Sequence, residues 1–179
     1  SPEDLRPYAR WCLDQRLTND WHGMVDQAAF GGTLAAAASV FTSGIVRTGL
    51  HPVRVDLRGA KQLWLVVSEG EQGNSYDWAD WLEPRFVWPA GSGRTERIVD
   101  LAWLEERSGW GSTRVGRNCD GGPLVVAGRT YTDGIGTHAR SEIAYAVPEN
   151  AATFAAIAAP DDMGARRAGS PNELAFEVW

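Results

Sequence analysis

Tyr131-Thr132-Asp133-Gly134-Ile135-Gly136-Thr137-His138-Ala139-Arg140-Ser141-Glu142-Ile143-Ala144-Tyr145 is the stretch around which the 179-residue chain reads most clearly. Asp133-Gly134 is a turn signal, since both residues tolerate the positive φ of tight turns. Beyond it, Ile135, Thr137, Ala139, Ser141, Ile143 and Tyr145 alternate with Gly136, His138, Arg140, Glu142 and Ala144. A period of two is that of a strand, with one mostly uncharged and one polar face. The spacing predicts that His138, Arg140 and Glu142 project from one side. Such a stripe is either a salt-bridged sheet face or a binding surface, and the pattern alone does not choose.

The rest of the chain supplies more short strands. Val53, Val55 and Leu57 alternate with charged residues, and Gln62 to Val67 is an apolar run, with Gly59-Ala60 turning between them. Ile98 to Trp103, Leu124 to Val126, Ala152 to Ile157 and Leu174 to Trp179 are further candidates, separated by glycine, proline or acidic turns. Many short strands without intervening helices predict an all-β sandwich, and a jelly roll is the specific expectation. The segment Pro89 to Gly93 reads as a flexible connector. Before the strands, Ser1-Pro2-Glu3-Asp4 has the layout of a helix start, and Leu5, Tyr8, Ala9, Cys12 and Leu13 form one apolar helical stripe. Residues 1–30 therefore read as a short helical amino-terminal appendage or the end of an upstream domain.

Net charge is −6 with scattered basic residues, which argues against nucleic-acid and anionic-membrane partners. Cys12 and Cys119 form no zinc or disulfide signature. No apolar run approaches a membrane span and no signal-peptide layout begins the chain, so the signal of an exported parent would lie outside this sequence. Nine tryptophans exceed ordinary usage. Most belong in a core, but exposed indoles are the surfaces on which sugar C–H faces stack.

The string G-I-G-T-H-A-x-S-E-I-x-Y (134–145) resembles the signature of the NPCBM family, the carbohydrate-binding modules of family 51. Asp100 to Trp103, Gly109-Trp110-Gly111 and Pro123 to Tyr131 resemble the first half of such a module. Val55 to Ala60, Leu63 to Val67 and Tyr76 to Trp81 resemble the second half. Here the second half comes first. The resemblance thus implies a 31–179 sandwich with residues 31–88 as second half, 89–97 as linker and 98–179 as first half. A circular permutation explains the complementarity, as does a segment spanning parts of two tandem modules, which would allow a strand-swapped homodimer.

The resemblance implies a galactose-binding-like jelly roll without catalysis of its own, targeting a larger exported bacterial protein to galactose-containing glycans. The location implied is extracellular or periplasmic, with a catalytic domain in the same parent. The alternative is a structural or protein-interaction sandwich. Candidate ligand-binding residues are Asp77, Trp78, Asp80, Trp81, His138, Arg140 and Glu142, with Trp110 and Asn118 on a neighbouring loop. Trp78 and Trp81 are read as lying three apart across a loop, where at least one faces solvent. The Glu69 to Trp81 loop is rich in hard oxygen donors, making Glu69, Glu71 and Asp77 candidate calcium ligands. Two carboxylates across a cleft would be needed for glycoside hydrolysis, but no nucleophile-elbow, zinc or phosphate-loop motif occurs.

Overall fold

The computed structural model describes residues 39–70 and 75–179. The expected appendage therefore lies outside the described residues, as does Glu71. Strands run in the order β1 (Phe41–Val46), β2 (His51–Asp56), β3 (Gln62–Glu69), β4 (Trp78–Val87), β5 (Thr95–Arg97), β6 (Glu105–Arg107), β7 (Arg114–Val115), β8 (Leu124–Val126), β9 (Arg129–Tyr131), β10 (Gly134–His138), β11 (Ser141–Ala146), β12 (Thr153–Pro160) and β13 (Leu174–Val178). One helix, α1 (Asp162–Ala168), and a 3-10 turn at Ile98–Asp100 complete the described elements.

The strands build two antiparallel sheets. One has the order β1-β13-β3-β11-β6, the other β2-β12-β4-β10-β7 with β5 on the far part of β4. Their inner faces share one core, in which Leu63, Leu65, Val67, Ile143, Tyr145, Phe176 and Val178 of the first sheet meet Val53, Val55, Trp81, Phe86, Ile135 and Phe154 of the second. This is the all-β sandwich expected. Residues from both ends of the chain contribute to both sheets, so each sheet is completed within a single chain: β3 pairs with β13 and β11, and β4 with β12 and β10.

The stretch read as one strand is two. β10 belongs to the second sheet and β11 to the first, and the chain crosses between them at Ala139-Arg140, where Arg140 takes φ 46°. His138 and Glu142 therefore sit on different sheets, and the predicted shared face of His138, Arg140 and Glu142 does not exist. Alternation continued through the sequence because each short strand obeys it separately. Alternation cannot report the break.

Three further expectations change. The Pro89–Gly93 segment is a hairpin turn, closed by Trp88 N–H to Arg94 O (3.1 Å) and Ser92 N–H to Pro89 O (3.1 Å), and it returns the chain as β5 against β4. Ile98 to Trp103 holds a 3-10 turn and loop in place of a strand. Between β12 and β13 stands α1, whose Asp161 caps the first turn by accepting from Met163 N–H at 2.6 Å and whose Gly169 closes it in the left-handed region.

Candidate functional site

Alternation along β4 decides which aromatic residues reach the surface. Ala79 and Trp81 point into the core, so Trp78, Asp80 and Leu82 take the outer face of the second sheet. Trp78 and Trp81 thus lie in a strand, not across a loop, and odd spacing puts them on opposite faces. Trp81 packs edge-on to Phe154 and Phe176, at 6.4 and 5.2 Å between ring centres.

Register pairs Trp78 with His138 of β10 on that outer face. Over them lies the loop carrying Trp110, whose indole stacks on Trp78 with ring centres 6.3 Å apart and planes 9° from parallel. Trp110 is also 6.0 Å from the His138 ring. Ser75, Tyr76, Trp78, Gly109, Trp110 and His138 line a cleft of about 380 Å³. Its floor and rim differ sharply: Trp78 is 2% exposed, Trp110 52% and Tyr76 43%.

The chain is held tightly to this geometry. Ser108 Oγ donates to Trp110 O (2.8 Å) and accepts from His138 N–H (3.2 Å), tying the tryptophan loop to β10. Gly109 N–H reaches His138 O at 3.3 Å, and a Cβ at Gly109 would stand 2.1 Å from Ala139 O. Only glycine lets the loop approach so closely. On the other rim, Asn172 Nδ2 donates to Tyr76 O at 2.5 Å and holds that residue at φ 62°. Arg167 of α1 places its guanidinium 5.5 Å from the centre of the Trp78 ring while pairing with Asp120 at 3.2 Å.

His138 Nδ1 lies 3.0 Å from Ala139 O. A carbonyl only accepts, so Nδ1 carries the proton and Nε2 is left as an acceptor. Burial pushes the imidazole below its ordinary value, keeping it neutral. The cleft therefore offers one open indole face, that of Trp110 backed by Trp78, together with a phenol and a neutral nitrogen acceptor. That combination suits a neutral polyhydroxylated ring.

The other sequence-predicted residues fall elsewhere. Asp77 lies beside the cleft, lining a smaller hollow of about 180 Å³ with Tyr76, Asn172 and Glu173. Burial, then Glu69 and Glu173, push its carboxyl up to about 7. Asp80 is buried under the outer face of β4. Burial and then the charge of Asp161 raise it far above the carboxylate range, so it keeps its proton, and neither of its buried oxygens has a hydrogen-bond partner among the described residues. Glu142 is buried on the first sheet, 3.0 Å from Arg107 Nε, with burial pushing it up to about 8. Arg140 gives both Nε (2.8 Å) and Nη2 (2.5 Å) to Glu69 Oε1. Asn118 fixes its own loop, accepting from Asp120 and Gly122 N–H and donating to Pro123 O. Of the seven candidates, only Trp78 and His138 line the cleft; Trp110 joins them. Tyr76 and Ser75 were missed, although Tyr76 stands in the same quoted string as Trp78. Flanking glycines in Gly109-Trp110-Gly111 are the signal that marks an aromatic residue lifted onto a loop.

Of the calcium candidates, Glu71 lies outside the described residues and the other two are set against different partners. Glu69 is engaged by the Arg140 guanidinium, and Asp77 lines the smaller hollow with Tyr76, Asn172 and Glu173. Among the described residues no group of three or more histidine, cysteine or acidic side chains is arranged to hold a metal.

The NPCBM/NEW2 domain model matches residues 20–87 and 94–179. The chain belongs to the NPCBM/NEW2 domain family. Its members are carbohydrate-binding modules, non-catalytic in themselves. No curated protein and no solved structure matched the chain. Both matched segments line the NPCBM cleft, Tyr76 and Trp78 coming from the first and Trp110 and His138 from the second. Among the described residues no helix is long and apolar enough to cross a membrane.

Proposed function

We propose that this NPCBM domain binds a galactose-type ring of a glycan in the Tyr76, Trp78, Trp110 and His138 cleft. The observation that carries the reading is the half-exposed Trp110 stacked over Trp78 with the His138 acceptor at its edge. A pyranose has an apolar C–H face that an indole covers, and hydroxyls that donate to Nε2. Among the described residues no carboxylate lines this cleft, whereas glycoside hydrolysis needs two, which supports binding over turnover. Affinity per site is weak, since a shallow cleft buries little area and exchanges sugar–water for sugar–protein hydrogen bonds.

The module serves a larger exported bacterial protein, outside the cell or in the periplasm, by holding a catalytic domain near its glycan. The two family segments are in permuted order, a reading supported by the register that sets Phe41 opposite Val178. A short turn there would join the strands in the unpermuted order. Tryptophan-fluorescence titration with galactose and galactose-containing oligosaccharides tests the function. Saturable quenching that disappears in Trp110→Ala supports the site. Absence of any response across a glycan panel would move the assignment to a protein-interaction module.

A further inference from the structure

Basic residues scattered along the sequence come together beside the glycan cleft. Arg167 of α1, 5.5 Å from the centre of the Trp78 ring, also reaches Asp120 Oδ2 at 3.2 Å. Asp120 stands in a tight turn closed by Gly121 N–H to Asn118 O at 2.9 Å. Around the same turn Arg117 Nη1 donates to Gly121 O at 3.0 Å, and the Arg114 guanidinium carbon lies 3.9 Å from the place a Gly121 Cβ would take. The turn adjoins the Trp110 loop, because Ser112 N–H reaches Cys119 O at 3.2 Å and a Cβ at Gly111 would stand 2.5 Å from that oxygen. Beneath it lies Gly136, where a Cβ would meet Arg117 O and, at 2.5 Å, Asn118 Cα. Gly136 and His138 share the outer face of β10, two residues or about 7 Å apart.

Charge is unbalanced on this surface, although the whole chain carries a net −6. Arg114 and Arg117 are exposed, and neither has a carboxylate partner among the described residues. Arg117 holds its turn, but the Arg114 guanidinium makes no hydrogen bond or ion pair among the described residues. Asp120 faces Arg167, and since both are partly exposed that pair contributes little and yields readily to an incoming anion. Asp161 and Asp162, at the start of α1, are engaged by the N–H groups of Met163, Val125, Ala127 and Gly128. We propose that the cleft takes an acidic glycan, whose galactose-type ring lies on Trp110 while a sulfate or carboxylate group on that sugar or its neighbour is held by Arg114, Arg117 and Arg167. The inference rests on the glycan reading of the cleft and specifies its ligand class. A guanidinium presents paired donors that match the oxygens of either anion, so the two groups share one recognition chemistry. Stacking then supplies the sugar contact, and the arginines select the charge.

Calorimetric titration of the full chain tests this with four oligosaccharides of equal length: a neutral galactan, a sulfated galactan, a galacturonate-containing one and a sulfated glucan. At about 50 mM salt an acidic galactose-type ligand is expected to bind about tenfold more tightly than the neutral galactan, and at about 500 mM that advantage should shrink to about twofold as exposed charges are screened. Whichever of the sulfated and galacturonate ligands gains more identifies the anion. Arg114→Gln should lower the ratio of acidic to neutral affinity, and Asp120→Asn, which removes the competing carboxylate, should raise it. A change that merely loosened the loop would weaken both ligands alike and leave the ratio where it was. Equal affinity for the acidic and neutral galactans at low salt overturns the inference and leaves the glycan reading standing. So does a sulfated glucan that binds as tightly as the sulfated galactan, which would make the attraction charge alone, and so does an unchanged ratio in both variants. If none of the four ligands binds, the glycan reading itself fails and this inference with it.

Discussion

Replacing Trp110 by alanine separates ligand contact from packing. A tryptophan presents roughly 250 Å² at most, and Trp110 is 52% exposed, which leaves about 130 Å² free. A pyranose laid on the open part covers about half of that, so roughly 60 Å² of indole leaves water at about 25 cal/mol per Å², or near 1.5 kcal/mol. Converted at 1.36 kcal/mol per decade, the loss is about tenfold in Kd. Folding stability should fall by less than for a core tryptophan, since the buried half of the ring, about 120 Å², is worth about 3 kcal/mol at most. The paired assay is fluorescence or calorimetric titration with a galactose-containing oligosaccharide, together with a urea melt of the same sample. Trp81→Ala is the comparison: fully buried between Phe154 and Phe176, it should cost about 3–5 kcal/mol of stability. Unchanged affinity in a well-folded Trp110→Ala protein refutes the stacking argument, as does an affinity loss explained wholly by unfolding.

His138 is held neutral, so glycan affinity should stay flat as pH is lowered to 6.5, the ordinary imidazole midpoint; an about twofold fall between pH 8 and 6.5, which an unshifted imidazole would give, would contradict the neutral assignment. Gly109→Ala, which forces a Cβ against Ala139 O, should lose glycan affinity together with about 1–3 kcal/mol of stability, read by titration and melting. Asp77, raised from 3.8 to about 7, contributes stability below its unfolded value that is lost as pH rises through the folded one. Asp77→Asn should therefore flatten the parent's decline in melting temperature between about pH 4 and 7, and an unchanged slope would count against the buried-acid account. Asp80→Asn keeps this buried position uncharged at nearly the same volume and should melt close to the parent at neutral pH, whereas Asp80→Ala leaves a cavity and should melt below it.

Composition, turn residues and period-two alternation sufficed for the all-β sandwich, because strand alternation and turn chemistry are local and act within a few residues. β2, β3, β8, β12 and β13 were legible for that reason. The helix α1 has its signals in Asp161 and Gly169, yet it is short enough to pass as a turn. Where a strand ends is less local. The crossing at Ala139-Arg140 rests on contacts from Gly109 and Ser108, some 30 residues away, and on a left-handed Arg140 that no residue preference marks.

The order of amino acids alone determined that this chain would form short antiparallel strands, carry many indoles and display the G-I-G-T-H-A-x-S-E-I-x-Y string of its family. Tertiary structure decided which indole meets a ligand. Trp78 and Trp81 differ by three positions in one strand, and only the pairing of β4 with β10, and the packing of the sheets, turns one to the cleft and the other to the core. The same holds for the acids, since Asp77, Asp80 and Glu142 look alike as carboxylates in a sequence. Their burial, and the presence of Arg107 beside only one of them, is set by residues distant along the chain and near in space.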